Sequence, residues 1–268
     1  MQISDPVVTD AVAAIDAGDI AALDGLLADC PALLTDRIAN GEEGYFASPY
    51  LLWFAPENPI RNGRLPPNIV DVAHAIITHL ERLDPPSRQY QLDYTVMLAA
   101  TGCVARECGV QLALIDALVA RGAQAEGLDT TVAHREFAAA RRLLDHGAPL
   151  TLTAAVGLGM SDEATRLLPQ ADSAARADAL VVAAGLGMKD GVALLLAAGV
   201  DPRVRSARLH RHATALHQAA LIGDREFCDL LLAAGARRND RDDAWNGTPS
   251  GWAAHAGYAD LARHLAAS

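Results

Sequence analysis

A six-residue motif recurs along the chain. It consists of two leucines or similar residues, two variable residues, a glycine and a small residue. It is LLAAGV at residues 195–200 and LLAAGA at 231–236, with earlier copies LLDHGA at 143–148 and LVARGA at 118–123. Such a motif is typical of a helix end, because the leucines pack inward and glycine adopts the left-handed conformation that stops a helix. Its recurrence predicts a stack of similar helical units, each packed on its neighbours.

A second, shorter helix is predicted before each of the last two copies of this motif. Residues 214–220 are TALHQAA and precede Gly223, while residues 248–254 are TPSGWAA and precede Gly257. Threonine caps a helix, proline suits its first turn, and a pair of alanines lets a neighbouring helix approach closely. Each repeat is therefore predicted to be a short inner helix, a glycine turn and an outer helix.

These residues resemble the ankyrin repeat, whose signature is Thr-Pro-Leu-His-x-Ala-Ala, a glycine, and then Leu-Leu-x-x-Gly-Ala. The match departs at Ala215, where the signature has proline, and at Gly251, where it has histidine. Residues 66–68, 109–116 and 245–253 also resemble segments of uncharacterised bacterial ankyrin-repeat proteins. The resemblance implies an all-α fold, an ankyrin-repeat solenoid.

Weaker copies extend the pattern towards the N-terminus and give about eight helix pairs, with irregular N-terminal repeats and long loops. We expect one ankyrin-repeat domain over residues 1–268, with divergent repeats in 1–123 and more regular repeats in 124–268. The expected pairs lie at residues 10–27, 50–83, 94–122, 131–146, 150–169, 178–198, 214–236 and 248–266.

The charge and the apolar pattern limit the classes of partner. The formal net charge is −11, which argues against general binding to nucleic-acid backbones. No segment approaches the roughly 18 uninterrupted apolar residues of a membrane span, and no leader pattern is evident. The four cysteines are scattered, as expected of free thiols in a reducing compartment. We therefore expect a cytoplasmic protein that binds neither nucleic acid nor membrane.

The loop region 36–67 is longer than a repeat requires and is rich in aromatic and charged residues. Such residues are enriched at binding hot spots, although long loops also bury aromatics by folding back on the repeats. Both interpretations stay open. The candidate partner-binding residues here are Tyr45, Tyr50, Trp53, Phe54, Glu57, Arg61 and Arg64.

Two later loops carry opposite charges. Residues 201–213, the basic finger, concentrate arginine and histidine, whereas residues 240–246, the acidic finger, hold three aspartates. The basic finger could bind an acidic partner, or the two fingers could simply pair with each other. The candidate partner-binding residues of the fingers are Arg205, Arg208, His210, Arg211, His212 and Trp245.

Alignment of the inner helices predicts two columns of side chains along a concave groove. The first column is Phe54, Leu98, Val182, Gln218 and Trp252, and the second is Glu57, Thr101, Gly157, Gly185, Leu221 and His255. From these, Gln218, Trp252 and His255 are added to the partner-binding candidates. A mostly apolar wall suits a docked helix or peptide, although half-buried packing would give the same pattern.

No pattern indicates catalysis, a metal or a cofactor. The His210–His212 pair has no further ligand at a fixed spacing, and His217 occupies the ankyrin histidine position, where the resemblance implies bonding to a turn. The glycines at 157–159 and 185–187 follow no predicted strand, so a phosphate-binding loop is not expected. We predict no catalytic residue, no metal and no cofactor.

The leading hypothesis is a binding module that mediates protein–protein interaction through the concave groove and the finger loops. The alternative is a small-ligand-binding protein or an enzyme with a pocket between the 36–67 loops and the groove. A third possibility is a self-associating structural protein.

Overall fold

The structure is a computed structural model that describes residue 3 and residues 5–210 and 212–266. Regular elements in these ranges are helical, and the β-type pairing found there is an isolated antiparallel bridge between Arg205 and Thr214. Packing divides the chain into two compact units, Met1–Pro149 and Leu150–Ser268.

The first unit consists of nine α-helices and one 3-10 turn in its described part. The helices are α1 (Pro6–Ala17), α2 (Ile20–Asp29), α3 (Ala32–Thr35), α4 (Ile69–Leu83), α5 (Arg88–Thr101), α6 (Cys103–Glu107), α7 (Gln111–Ala120), α8 (Leu128–Ala133) and α9 (Phe137–Asp145), and the turn is Leu51–Phe54.

The second unit is more regular and consists of four consecutive helix pairs. They are α10 (Leu152–Gly157) with α11 (Ser161–Leu167), α12 (Ser173–Leu186) with α13 (Lys189–Ala197), α14 (Ala215–Ile222) with α15 (Arg225–Ala233), and α16 (Pro249–His255) with α17 (Ala259–Ala266). A 3-10 turn, Leu168–Gln170, follows α11.

The all-α fold and the helix pairs agree with the prediction. The described residues form eight pairs, four in each unit, although the inner element of the second pair is only a 3-10 turn. Helices α3 and α6 were not predicted. Both are one turn long, too short to show a periodic apolar pattern.

Small residues let the first helices of the second unit lie side by side. Each of α10, α12 and α14 contacts the first helix of the next pair, so the first helices form one layer. Fully buried alanines such as Ala183, Ala219 and Ala253 lie in this layer. Phe227 and Leu231 of the outer helix α15 complete the apolar core behind it. This packing fixes the surface of α14 and α16 on which the site described below is built.

Within the described ranges, no helix combines the length and the apolar character that crossing a bilayer requires.

Candidate functional site

The second unit contains a pocket of about 670 Å³ walled by two indole rings, which we call the indole pocket. Its lining comes from the basic finger, from α14, from the acidic finger and its following glycine, and from α16. In that order the lining residues are His210 and His212; Gln218 and Leu221; Trp245 and Gly247; and Gly251, Trp252 and His255.

Three aromatic rings pack against one another at the pocket, and Trp245 meets the other two edge to face. The His212 ring lies 5.2 Å from the Trp245 ring and 5.6 Å from the Trp252 ring, and the two indoles are 5.9 Å apart at 62°. Trp245 nevertheless keeps 72% of its surface exposed. A tryptophan that is held in place by packing and still faces solvent is a ready contact surface for a partner.

Asp242 fixes the loop that presents Trp245. One carboxylate oxygen accepts the backbone N–H groups of Ala244 (2.9 Å) and Trp245 (2.6 Å), and the other accepts the N–H of Gly247 (2.8 Å) and the indole N–H of Trp252 (2.9 Å). Burial alone would raise the pKa of Asp242, but these hydrogen bonds lower it to about 2. One side chain therefore holds the backbone at Trp245 and the indole of Trp252.

His217 joins the pocket floor to the same loop. It caps α14 by accepting the Thr214 N–H at Nδ1 (3.3 Å), and its Nε2 lies 3.2 Å from the Gly247 carbonyl oxygen. Burial lowers the pKa of His217, which favours the neutral ring that this pattern requires. The side chain is thus a structural one, as the resemblance implied.

Gln218 is the polar residue at the pocket floor. It is only 6% exposed, yet its side chain lines the pocket, and within residues 5–210 and 212–266 no hydrogen bond satisfies its carboxamide. Its Oε1 lies against Gly185 of α12, 3.3 Å from the place that a Cβ there would occupy. Helix α12 therefore lies close to this amide.

The charges of the two fingers are partly paired. Arg205 forms an ion pair with Asp243 of the acidic finger and also donates to the Arg241 carbonyl. Arg208 pairs with the buried Asp178 of α12 (2.7 Å) while its own side chain stays 62% exposed. One of the two alternatives, pairing between the fingers, thus occurs at Arg205. Arg211 lies outside the described residues.

The aromatics of the 36–67 region pack mostly within the first unit. Tyr50, Trp53 and Phe54 are buried, and the Trp53 ring lies 4.2 Å from the Tyr94 ring of α5. Tyr45 is 58% exposed, although its hydroxyl donates to Asn58. Among these aromatic candidates, Tyr45 alone offers a large exposed surface, because the other three fill the interior between the loop and α5.

The charged candidates of the same loop form an internal anchor. Glu57 is fully buried and Arg61 nearly so; Arg61 lies 2.9 Å from Glu57 and 2.8 Å from Asp16 of α1. Glu57 also accepts the backbone N–H groups of Arg61 and Gly63. These contacts fold the loop back on α1, which leaves Arg64 as the exposed charge among the three.

The structure thus brings six predicted residues together in one place, and the other predicted residues that it describes do not line this pocket. The six at the indole pocket are His210, His212, Gln218, Trp245, Trp252 and His255. Asp242 was not predicted as a site residue. An aspartate three residues before Trp245 and followed by Asn246-Gly247 is typical of a side-chain-capped turn, which is the signal that could have found it.

In the described part of the chain, no group of three histidine, cysteine or carboxylate side chains is placed to hold a metal ion. The alternative of a ligand or enzyme pocket beside the 36–67 loops stays a prediction.

Residues 180–268 match the family model for ankyrin repeats, which finds three copies there. The matched stretch begins inside α12 and continues through the last two helix pairs, and it includes the nine described residues that line the indole pocket. A comparison with curated proteins gave no significant match. The predicted ankyrin repeats are confirmed for residues 180–268, and the predicted all-α fold class is confirmed by the helices of both units.

Proposed function

Residues 180–268 carry ankyrin repeats, and on that premise we propose that the chain binds a protein partner at the indole pocket and the fingers around it. Ankyrin repeats are generally protein–protein interaction modules. The finer proposal, that contact occurs on the concave groove and finger loops, is supported chiefly by Trp245. It is the most exposed large apolar side chain described, and it lies beside a pocket of about 670 Å³.

The physical argument concerns where binding energy can be gained. Tryptophan is enriched at hot spots because it buries a large area with few rotatable bonds, and truncation of a hot-spot residue costs ~2–4 kcal/mol of binding. Trp245 is held by its contacts with His212 and Trp252 and by its N–H bond to Asp242. A partner would therefore not have to order it on binding.

The other candidates contribute less to this proposal. Arg205 already pairs with Asp243, so it would have to exchange one ion pair for another. In the first unit, Tyr45 is the exposed candidate with the largest apolar surface, and it provides the natural comparison site.

The test is selection of binding peptides from a random phage-displayed library on the intact chain. Selected peptides are then measured against Trp245→Ala, against Tyr45→Ala and against Leu230→Ala. Leu230 is a partly exposed apolar residue of α15 and serves as the matched control. We expect Trp245→Ala to weaken binding at least tenfold and the other two variants to bind like the wild type.

Selection of peptides that depend on Tyr45 and not on Trp245 would move the site to the first unit and contradict the proposal. Failure of the library to yield any binder that depends on Trp245 would contradict it as well.

A further inference from the structure

The indole pocket is apolar but has a carboxamide at its floor, which bonds to none of the described residues. Trp245, Trp252 and Leu221 supply its apolar surface, and the nine described residues that line it include no lysine, arginine, aspartate or glutamate. A pocket of this kind takes a large uncharged side chain more readily than a charged one, because a charge there would lose its hydration.

Gln218 provides that carboxamide. Its side chain lines the pocket at 6% exposure, and no described residue hydrogen-bonds to its carboxamide. Because this amide faces the pocket and has no partner among the described residues, a ligand in the pocket can hydrogen-bond to it. A carboxamide offers one donor group and one acceptor, the same pair that a peptide main chain offers.

The finger loops beside the pocket carry both charges, and among their arginines Arg241 has no carboxylate partner in the described part of the chain. Arg241 is exposed, donates to the Asn246 carbonyl (2.7 Å), and has no carboxylate within 4.0 Å among the described residues. Arg208 adds a largely exposed side chain whose paired carboxylate, on Asp178, is buried. Arg241 can therefore pair with an acidic residue of a partner without first giving up a carboxylate of its own chain.

We propose that the indole pocket binds an extended, acidic peptide segment of a partner protein. A large apolar side chain of the peptide lies against Trp245 and Trp252, and its main chain hydrogen-bonds to the carboxamide of Gln218. Acidic residues beside this anchor pair with Arg241. Gln218 thus selects a main chain in extended form, since a helix would have its own amides already bonded. The inference rests on the proposed function and specifies the partner's chemistry.

The first experiment tests the role of Gln218. A peptide selected on the intact chain is titrated by fluorescence anisotropy against wild type, Gln218→Leu and Gln170→Leu. Gln170 is exposed and provides the same substitution away from the pocket. We expect Gln218→Leu to weaken binding about tenfold and Gln170→Leu to leave it unchanged. Far-UV circular dichroism checks that both variants keep the wild-type helix content.

A double-mutant cycle then identifies the group that Gln218 contacts. N-methylation of the peptide bond at the anchor residue should weaken binding to the wild type, and it should weaken binding to Gln218→Leu much less. Equal losses in both proteins would overturn the main-chain contact, as would unchanged binding by Gln218→Leu.

The second experiment tests the charge. We expect the selected peptides to carry aspartate or glutamate beside the apolar anchor. We also expect Arg241→Glu to weaken binding severalfold, whereas Arg225→Glu, which changes an exposed arginine of α15, should not. Selection of basic peptides, or equal effects of the two substitutions, would overturn the acidic assignment.

The failures are distinguishable. Peptides that depend on Trp245 but not on Gln218 or Arg241 would overturn this inference and leave the proposed function standing. The absence of any Trp245-dependent peptide would overturn both.

Discussion

Replacement of Asp242 by asparagine removes the carboxylate that holds the loop of the indole pocket. The side chain is 3% exposed and accepts four N–H groups, those of Ala244, Trp245 and Gly247 and the indole of Trp252. Asparagine has only one carbonyl oxygen, so its amide N–H₂ must face at least one of these donors. The loop loses hydrogen bonds and leaves a buried donor unsatisfied.

The magnitude follows from the pKa of Asp242. A pKa lowered from 3.8 to about 2 means that the ionised carboxylate stabilises the folded chain by about 2 kcal/mol. Because the folded pKa lies below the unfolded one, this stabilisation is complete above pH ~4 and is lost as the pH falls towards ~2. We therefore expect Asp242→Asn to lower the free energy of unfolding by about 2 kcal/mol at neutral pH.

Urea unfolding followed by far-UV circular dichroism measures this loss, at neutral pH and at several values down to pH ~2. The difference between wild type and Asp242→Asn should shrink below pH ~4, since the wild-type carboxylate then becomes protonated. The matched control is Asp243→Asn. Asp243 is exposed and makes one ion pair, with Arg205, so its loss should cost less than ~1 kcal/mol. Equal stability of Asp242→Asn and wild type at neutral pH, or a difference that does not change with pH, would refute the reasoning.

Two further predictions concern stability. Arg61→Ala should lower the free energy of unfolding by about 3 kcal/mol, because it leaves the fully buried carboxylate of Glu57 without its cation. Thermal or urea unfolding measures this loss. The control is Arg64→Ala, a change of an exposed arginine that should lower the free energy of unfolding by less than ~0.5 kcal/mol. Gly223→Ala should lower the free energy of unfolding by ~1–3 kcal/mol more than Gly235→Ala does, in the same measurement. Both glycines have positive φ, but an added Cβ at Gly223 would lie 2.4 Å from the ring of Tyr258, whereas an added Cβ at Gly235 would lie in open space. Equal losses within either pair would contradict the corresponding argument.

The sequence allowed the helix pairs and six of the nine described lining residues of the indole pocket to be predicted. Leucine pairs followed by glycine mark helix ends by local physics alone, and the structure has a helix end at each of them. Gln218, Trp252 and His255 were found by aligning inner helices, because equivalent positions of stacked repeats lie on the same surface.

The finger geometry could not be predicted in the same way. The position of Trp245 against Trp252 depends on the four bonds of Asp242 within an irregular loop, which no periodic pattern encodes. The burial of Trp53 depends on Tyr90 and Tyr94 of α5, which follow it by about 40 residues. Loop aromatics alone do not indicate which distant helix covers them.

The measurement that tests the central claim most directly is the response of the three indole N–H signals in a ¹⁵N–¹H NMR spectrum. The chain has three tryptophans, two of which line the indole pocket, while Trp53 is buried in the first unit. On titration with a selected peptide, the signals of Trp245 and Trp252 should shift and that of Trp53 should not. A shift of the Trp53 signal alone, or no shift of any indole at peptide saturation, would contradict the account.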